Sequence, residues 1–376
     1  MHYFLIAGEA SGDLHASHLI SELRKQDNKA IFTFLGGDKM AAAAGVEPLV
    51  HYKEMNYMGI SEVLRNLNKV SANLRKAKAA LKHAKPDALI LIDYPSFNLK
   101  LAAEASKLNI PVYYYISPKL WAWKKWRIKD IKKYVKRMLC ILPFEPAFYK
   151  GYEYEAQYVG NPSLAEVDID LTTAPSREEF IKRNKLRDRT MIALMPGSRY
   201  GEIRNNLPIM RLAADRFPQY RPIIIGAPSV EDSVYEELGG KNLPIVREQS
   251  AIHALVHCQA AVVTSGTATL EAALAGTPQV VCYRSNGAKI SYEVLKRVLD
   301  IDFVSLPNLI ANKEVVPEML VHMCTVDGVA DKLQHLLRED STERQQQLDG
   351  YKEIRRILGT KSAQEEAAKI IVGDFL

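Results

Sequence analysis

The stretch QAAVVTSGTATLEAALAGTPQVVCY, residues 259–283, decides how the chain folds. Its apolar run 260–263 predicts a short buried strand, Thr264-Ser265-Gly266-Thr267 a tight loop, 268–275 a helix stopped by Gly276-Thr277-Pro278, and 280–283 a further strand. The loop brings free backbone N–H groups and two Thr hydroxyls to a helix N-terminus, where the macrodipole favours an anion, so it suits a phosphate. Glu271, one turn into the helix, suits the hydroxyls of a ribose, and the pattern points to a nucleotide. A plain capped βα turn accounts for the same residues, and the segment alone leaves both open.

A chain of 376 residues exceeds one typical core and is expected to form two domains. Hydrophobic residues at 47% and charged residues at 25% suit a soluble globular enzyme. Residues 1–7 enter a strand-like run with no basic segment ahead of it, and no apolar run approaches the ~18 to 20 residues of a membrane span. The expected location is the cytoplasm or the cytoplasmic face of a membrane. Cys140, Cys258, Cys282 and Cys324 are scattered without a Cys-x-x-Cys pair and read as free thiols. The net charge of +6 is uneven: residues 1–160 carry 24 Lys+Arg against 15 Asp+Glu, leaving 26 against 29 for the remainder. A basic half suits nucleic acid, an anionic membrane surface or a phosphorylated substrate.

In chain order, the apolar run 2–7, the loop Gly8-Glu9-Ala10-Ser11-Gly12-Asp13 and the helical pattern Leu14, Leu19, Ile20, Leu23 open a doubly wound α/β domain. The loop is neither G-x-G-x-x-G nor G-x-S-x-G, which argues against a dinucleotide oxidoreductase and a serine hydrolase. Buried strands at 31–35 and 88–92 follow, and Asp93 stands at the carboxyl end of the latter, where ligands bind in open α/β sheets. Between them Ile60, Val63, Leu64, Leu67, Val70, Leu74, Ala77 and Leu81 recur at helical spacing with basic residues interleaved. After a strand at 112–116, residues 117–137 (SPKLWAWKKWRIKDIKKYVKR) hold Trp121, Trp123 and Trp126 beside nine Lys/Arg, among them Lys124, Lys125 and Arg127. This composition suits a lipid headgroup boundary, a single-stranded nucleic acid, or a basic helix with inward-facing Trp. No recognised nucleic-acid motif accompanies it.

Apolar periodicity lapses over 161–175, which reads as a linker, and a helix is expected near 177–184. The second half repeats the opening: strand 191–195, loop Pro196-Gly197-Ser198-Arg199, then a helix. Arg199 is placed to reach a phosphate or to form a surface ion pair. Strands are expected near 222–225 and 245–247, residues 303–308 continue that series, and the chain from 326 to 371 reads as polar helices. The expected domains are 1–165, 175–340 and a C-terminal helical segment 341–376. His253 and His257 lack the Glu of H-E-x-x-H, and no D-x-D pair stands at a strand end, since Asp300-Ile301-Asp302 precedes a strand, so no metal is expected.

GEASGD at 8–13, MGISEVL at 58–64, ID-x-P-x-FN at 92–98, SPKLWAW at 117–123, LPFE at 142–145, MPGSR at 195–199, SGTATLE at 265–271 and VSLPNLI at 304–310 together resemble the lipid-A-disaccharide synthase family. The resemblance implies two Rossmann-like doubly wound domains of the GT-B type facing each other across a cleft. It implies transfer of 2,3-diacylglucosamine from UDP to the 6-hydroxyl of 2,3-diacylglucosamine 1-phosphate, with inversion and no cofactor. Asp93 matches the family's proposed catalytic Asp, and Glu9 and Ser11, in the first loop, match residues implicated at the cleft and are counted with it as catalytic. Ser198, Arg199, Ser265, Gly266, Thr267, Glu271 and Asn308 match the donor side. Acylated substrates favour the membrane for Trp121, Trp123, Trp126, Lys124, Lys125 and Arg127, with an anionic membrane surface and no nucleic acid as partner. A homodimer with exchanged C-terminal segments is also implied. Ser96 and Asn161 stand where the family carries Asp and His. Rival readings are a UDP-N-acetylglucosamine 2-epimerase, a peptidoglycan glycosyltransferase, and a non-catalytic nucleic-acid or membrane binding protein.

Overall fold

The computed structural model describes residues 1–55, 67–284 and 302–376. The MGISEVL motif, the first part of the helical pattern beginning at Ile60, and Asp300-Ile301 lie outside the described residues. Two compact units result: 1–162 with 360–376, and 163–359.

The first unit is built on β1 (His2–Ala7), β2 (Ile31–Leu35), β3 (Ala88–Ile92), β4 (Val112–Tyr115), β5 (Arg137–Cys140) and β6 (Ala156–Tyr158). All its pairings are parallel and the order is β2-β1-β3-β4-β5-β6. Every residue of β3 is buried, as strands covered on both faces require. One face packs Leu89, Leu91 and Phe97; the other packs Leu5, Ile90 and Tyr113 against Leu19, Ile20 and Leu23 of the Ala10–Gln26 helix.

The second unit is built on β7 (Met191–Met195), β8 (Arg221–Ile225), β9 (Ile245–Val246), β10 (Cys258–Thr264), β11 (Gln279–Tyr283) and β12 (Glu318–Leu320), in the order β12-β11-β10-β7-β8-β9, again all parallel. Both units are therefore doubly wound. In each, the first strand has its successors on both sides, so the winding reverses there: between β1 and β3 in one unit and between β7 and β10 in the other.

Local assignments differ from the sequence expectation in four places. The loop expected over 8–13 is only Gly8-Glu9, because the Ala10–Gln26 helix starts inside it. The expected linker 161–175 contains the Pro162–Thr173 helix, because Leu164 and Val167 supply a buried stripe that its acids obscure in the sequence. Residues 303–308 form no strand; Pro307 sits in the first turn of the Leu306–Ala311 helix, and β12 lies beyond it. Residues 117–137 are not one helix, because Lys124 adopts a left-handed conformation (φ 55°) and only Ile128–Tyr134 is α-helical.

At the C-terminus, the Thr342–Leu358 helix stays with the second unit, whereas the Ala363–Gly373 helix packs on the first, its Ala367, Ala368 and Ile371 seated beside Ala16 and Leu23. Gly160 makes this return path fit. A Cβ there would come within 2.4 Å of the Lys361 carbonyl oxygen, and its φ of +107° suits only glycine. Asp374 then accepts hydrogen bonds from Arg137 Nε (3.1 Å) and Nη2 (2.8 Å) and from the Tyr113 hydroxyl (3.1 Å), with Lys136 Nζ at 3.1 Å. Arg137, foremost, holds this carboxyl well below the usual range. Asp374→Ala is therefore expected to cost about 1 to 2 kcal/mol of stability at neutral pH. Because the folded value is depressed, the stabilisation is complete above the ordinary Asp value of about 4 and is lost as pH falls below it. A thermal melt of Asp374→Ala that matches the parent at neutral pH would contradict the clamp.

Candidate active-site residues

The first reversal lies where β1 delivers Gly8, Glu9 and the start of the Ala10–Gln26 helix and β3 delivers Asp93. Asp93 and Tyr94 both take left-handed conformations, with φ of 42° and 45°. Non-glycine residues adopt this region at an energetic cost, and the surroundings explain how it persists. The Asp93 carbonyl accepts from Asn98 Nδ2 at 2.7 Å and from the Tyr114 hydroxyl at 2.5 Å; Asn98 Nδ2 also reaches the Ile92 carbonyl at 3.2 Å. The Tyr94 hydroxyl donates to the Met55 carbonyl at 2.8 Å, and its ring lies over Gly8, where a Cβ would come within 2.4 Å of it. Gly8 is thus required by Tyr94 rather than by a turn.

The kink turns the Asp93 carboxyl into a desolvated setting. Burial first, then the negative charge of Glu9, push it up to about 6, while Lys119 and His15 pull against them. Glu9 Oε1 in turn accepts from Ser11 Oγ at 3.1 Å. The last carboxylate of the GEASGD motif serves the fold instead. Asp13 is buried and accepts from the N–H groups of Gly37 (2.7 Å), Lys39 (3.1 Å) and Met40 (3.2 Å), holding the start of the Asp38–Ala44 helix.

The second reversal gathers the residues after β7 and β10. The Thr267–Leu274 helix begins at Gly266 with no side-chain cap, nothing lies within 4 Å of a Cβ built at Gly266, and Thr267 is exposed. Ser265 Oγ donates to the Val304 carbonyl at 3.0 Å. Glu271 is pushed up to about 7, by burial and then by Glu166 and Asp170. After β7, Gly197 has φ +110° and a Cβ there would meet Glu202 Oε2 at 2.5 Å. Glu202 accepts from the Ser198 N–H at 3.1 Å and from Arg199 Nη1 at 2.9 Å. That exposed i,i+3 pair contributes little, which leaves Arg199 free to exchange partners.

Asn308 is a correction. The resemblance puts it on the donor side, but it is fully buried and its amide is saturated. Nδ2 donates to the Val316 carbonyl and Glu318 Oε1, both at 2.9 Å, and Oδ1 accepts from the N–H groups of Val315 (2.7 Å) and Val316 (2.9 Å). It braces the loop that Ser265 touches. Glu318, which sequence reasoning passes over, organises the same loop by accepting from Val304 N (3.0 Å), Ser305 N (2.8 Å) and Ser305 Oγ (2.6 Å).

Trp121 is a second correction. Expected at a surface with the other two, it is 8% exposed, donates from Nε1 to Glu145 Oε1 at 3.2 Å and packs edge-on to Phe144. Glu145 is itself buried and is pushed up to about 7 by that burial. Trp123 and Trp126 are 51% and 65% exposed, and Lys124 Nζ lies 4.1 Å from the Trp123 ring centroid. Lys125 and Arg127 share the following 3₁₀ turn. His253 and His257 hydrogen-bond to Thr173 Oγ1 and the Pro175 carbonyl. Among the described residues no group of three or more His, Cys, Asp or Glu is arranged to hold a metal ion.

A family model described as lipid-A-disaccharide synthetase matches residues 3–372. The chain belongs to that family. The lipid-A-disaccharide synthase of Myxococcus xanthus (strain DK1622) is 39% identical over 374 residues, covering 98% of this chain and 96% of the relative. Among solved structures, the UDP-GlcNAc 2-epimerase of Neisseria meningitidis bound to UDP-GlcNAc superposes with a TM-score of 0.66 at 15% identity, covering 100% and 99% of the two chains. The glycotransferase of kitacinnamycin gives 0.62 at 14%, covering 99% and 98%. At such identities these two speak for the fold alone, the GT-B type. Within this glycosyltransferase family, sequence reasoning misses, besides Glu318, His15 and Lys119, which act on Asp93, and Asn98 and Tyr114, which hold its backbone. His15 follows Ser11 by one helical turn, the one signal available for it.

The charge of Glu9 is part of what holds the Asp93 carboxyl near 6. NMR of the Asp93 side-chain carbonyl carbon should show a titration there, and Glu9→Gln should move it toward the lower, ordinary Asp range. A titration indifferent to Glu9→Gln would contradict this arrangement.

Proposed function

We propose that this protein is an inverting glycosyltransferase of lipid A biosynthesis that transfers 2,3-diacylglucosamine from UDP to the 6-hydroxyl of 2,3-diacylglucosamine 1-phosphate. The products are the β-1,6-linked disaccharide 1-phosphate and UDP. Family membership supports the substrates. The observation that carries the mechanism is Asp93, a desolvated carboxyl pushed up to about 6 at a strained strand end on the first unit's winding reversal. A base of that strength is largely ionised at neutral pH and still accepts a proton readily.

Asp93 takes the proton of the acceptor 6-hydroxyl as that oxygen bonds to the anomeric carbon of the donor sugar. The bond from that carbon to the β-phosphate oxygen breaks, and the electron pair leaves with UDP. Attack opposite the leaving group inverts the anomeric centre. Negative charge growing on the diphosphate is met by the uncapped helix start at Gly266 and Thr267 and by Arg199, released from Glu202. Glu271 accepts from the ribose. Glu9 and Ser11 fix the electrostatic setting of the base.

Trp123, Trp126, Lys124 and Lys125 form the face toward an anionic membrane, a composition suited to headgroups. No described helix is long and apolar enough to cross a bilayer, and acylated substrates favour peripheral attachment at the inner membrane's cytoplasmic face. A homodimer fits the same reading: the seat of the Ala363–Gly373 helix, with its Asp374 clamp, would accept the same helix from a second copy.

The direct test is incubation of the purified protein with both acylated substrates and a chelator, following UDP and disaccharide. Both should appear, and their absence would overturn the reading. In the same assay Asp93→Asn should lower kcat by about a hundredfold or more with UDP affinity nearly unchanged. Near-normal turnover would remove Asp93 as the base.

A further inference from the structure

We propose that Arg127, braced by Ser96, is the receptor for the phosphate monoester of the acceptor, a subsite separate from the membrane face. This rests on the transferase reading above and names the part of the acceptor that the first unit selects.

Arg127 ends the 3₁₀ turn Lys125–Arg127 and is half-buried. The one hydrogen bond of its side chain among the described residues runs from Nη2 to Ser96 Oγ at 2.6 Å. A guanidinium carries five N–H donors in a planar fork, so a single bond to a neutral hydroxyl leaves most of it unused. Burial pushes the group down, against Tyr114 and then Asp130. Lys124 is close enough that Arg127 helps to push it down as well. Two partly desolvated cations side by side destabilise the unliganded protein unless an anion arrives. The first turn of the Pro95–Lys107 helix, which carries Ser96, holds no acid.

The position suits one end of the acceptor. Ser96 stands three residues beyond Asp93, and the Tyr114 hydroxyl that supports the Asp93 carbonyl also lies within the electrostatic reach of Arg127. Through Ser96 the subsite therefore flanks the base. An amino sugar with its reacting hydroxyl at one end and a phosphate at the anomeric end presents the matching pair of groups. A monoester, at about −1.5 to −2 charges, offers a guanidinium more than a lipid phosphodiester does.

The experiment compares two acceptors in neutral-detergent micelles: 2,3-diacylglucosamine 1-phosphate and the same sugar without its phosphate. Wild-type protein should favour the phosphorylated acceptor by about tenfold or more in kcat/KM. Arg127→Gln should erase most of that preference, chiefly through KM, with the donor KM unchanged, and Arg127→Lys should restore part of it. Sedimentation of Arg127→Gln with vesicles of phosphatidylcholine and phosphatidylglycerol should match wild type, whereas Trp123→Ser with Trp126→Ser should reduce it. Equal use of the two acceptors by wild type, which needs no variant to fold, would overturn the subsite. So would an Arg127→Gln loss shared equally by both acceptors, or a loss of vesicle binding with the preference intact. No disaccharide from wild type with the phosphorylated acceptor would instead sink the transferase reading, and the subsite with it.

Discussion

Two consecutive left-handed residues at the end of β3 are the constraint on which the chemistry proposed for the first unit depends. Asp93 and Tyr94 are held there by a buried amide from Asn98, a buried phenol from Tyr114 and a glycine at position 8 that makes room for the Tyr94 ring. Each is worth little beside the cost of a misplaced base, since an ångström of displacement can cost about a hundredfold in rate. Together they aim one carboxyl into a setting where burial and Glu9 raise its affinity for a proton. The GEASGD motif and the strand-end Asp are therefore one device, in which glycine, glutamate and aspartate each answer a different physical demand.

In the proposed reaction the second unit meets the opposite requirement, the reception of negative charge. There the sheet's reversal brings an uncapped helix start beside a loop carrying an exchangeable Arg199. Its precision comes from behind. Glu318 and Asn308 fasten residues 304–308, and Ser265 rests on Val304. Neither Glu318 nor Asn308 needs to touch a substrate for its loss to loosen the donor side.

The doubly wound architecture is legible because buried parallel strands read as short apolar runs and each is followed by a loop with a strong local signature. Asp93 and the 264–267 loop stand out for that reason. What stays hidden depends on contacts distant in sequence. Trp121 and Trp123 are two residues apart with identical side chains, and Glu145 beneath one of them decides which is buried. Asn308 sits in a conspicuous motif, yet only the positions of Val315, Val316 and Glu318 reveal that its amide is spent on the fold. The Pro162–Thr173 helix is masked by acids on its outer face, one of which, Asp168, pairs with Arg355 at 2.5 Å. The left-handed turn at Lys124, which breaks the basic stretch, has no sequence signal that a lysine could supply.

In the proposed reaction Asp93, raised to about 6 and so still largely ionised at neutral pH, takes the acceptor proton. The dependence of kcat/KM on pH, measured with saturating donor, tests it most directly. Activity should rise through a single ionisation near the value of about 6 to which Asp93 is pushed and level off above it. A profile that is flat across that range, or one whose rise survives in Asp93→Asn, would remove Asp93 as the base.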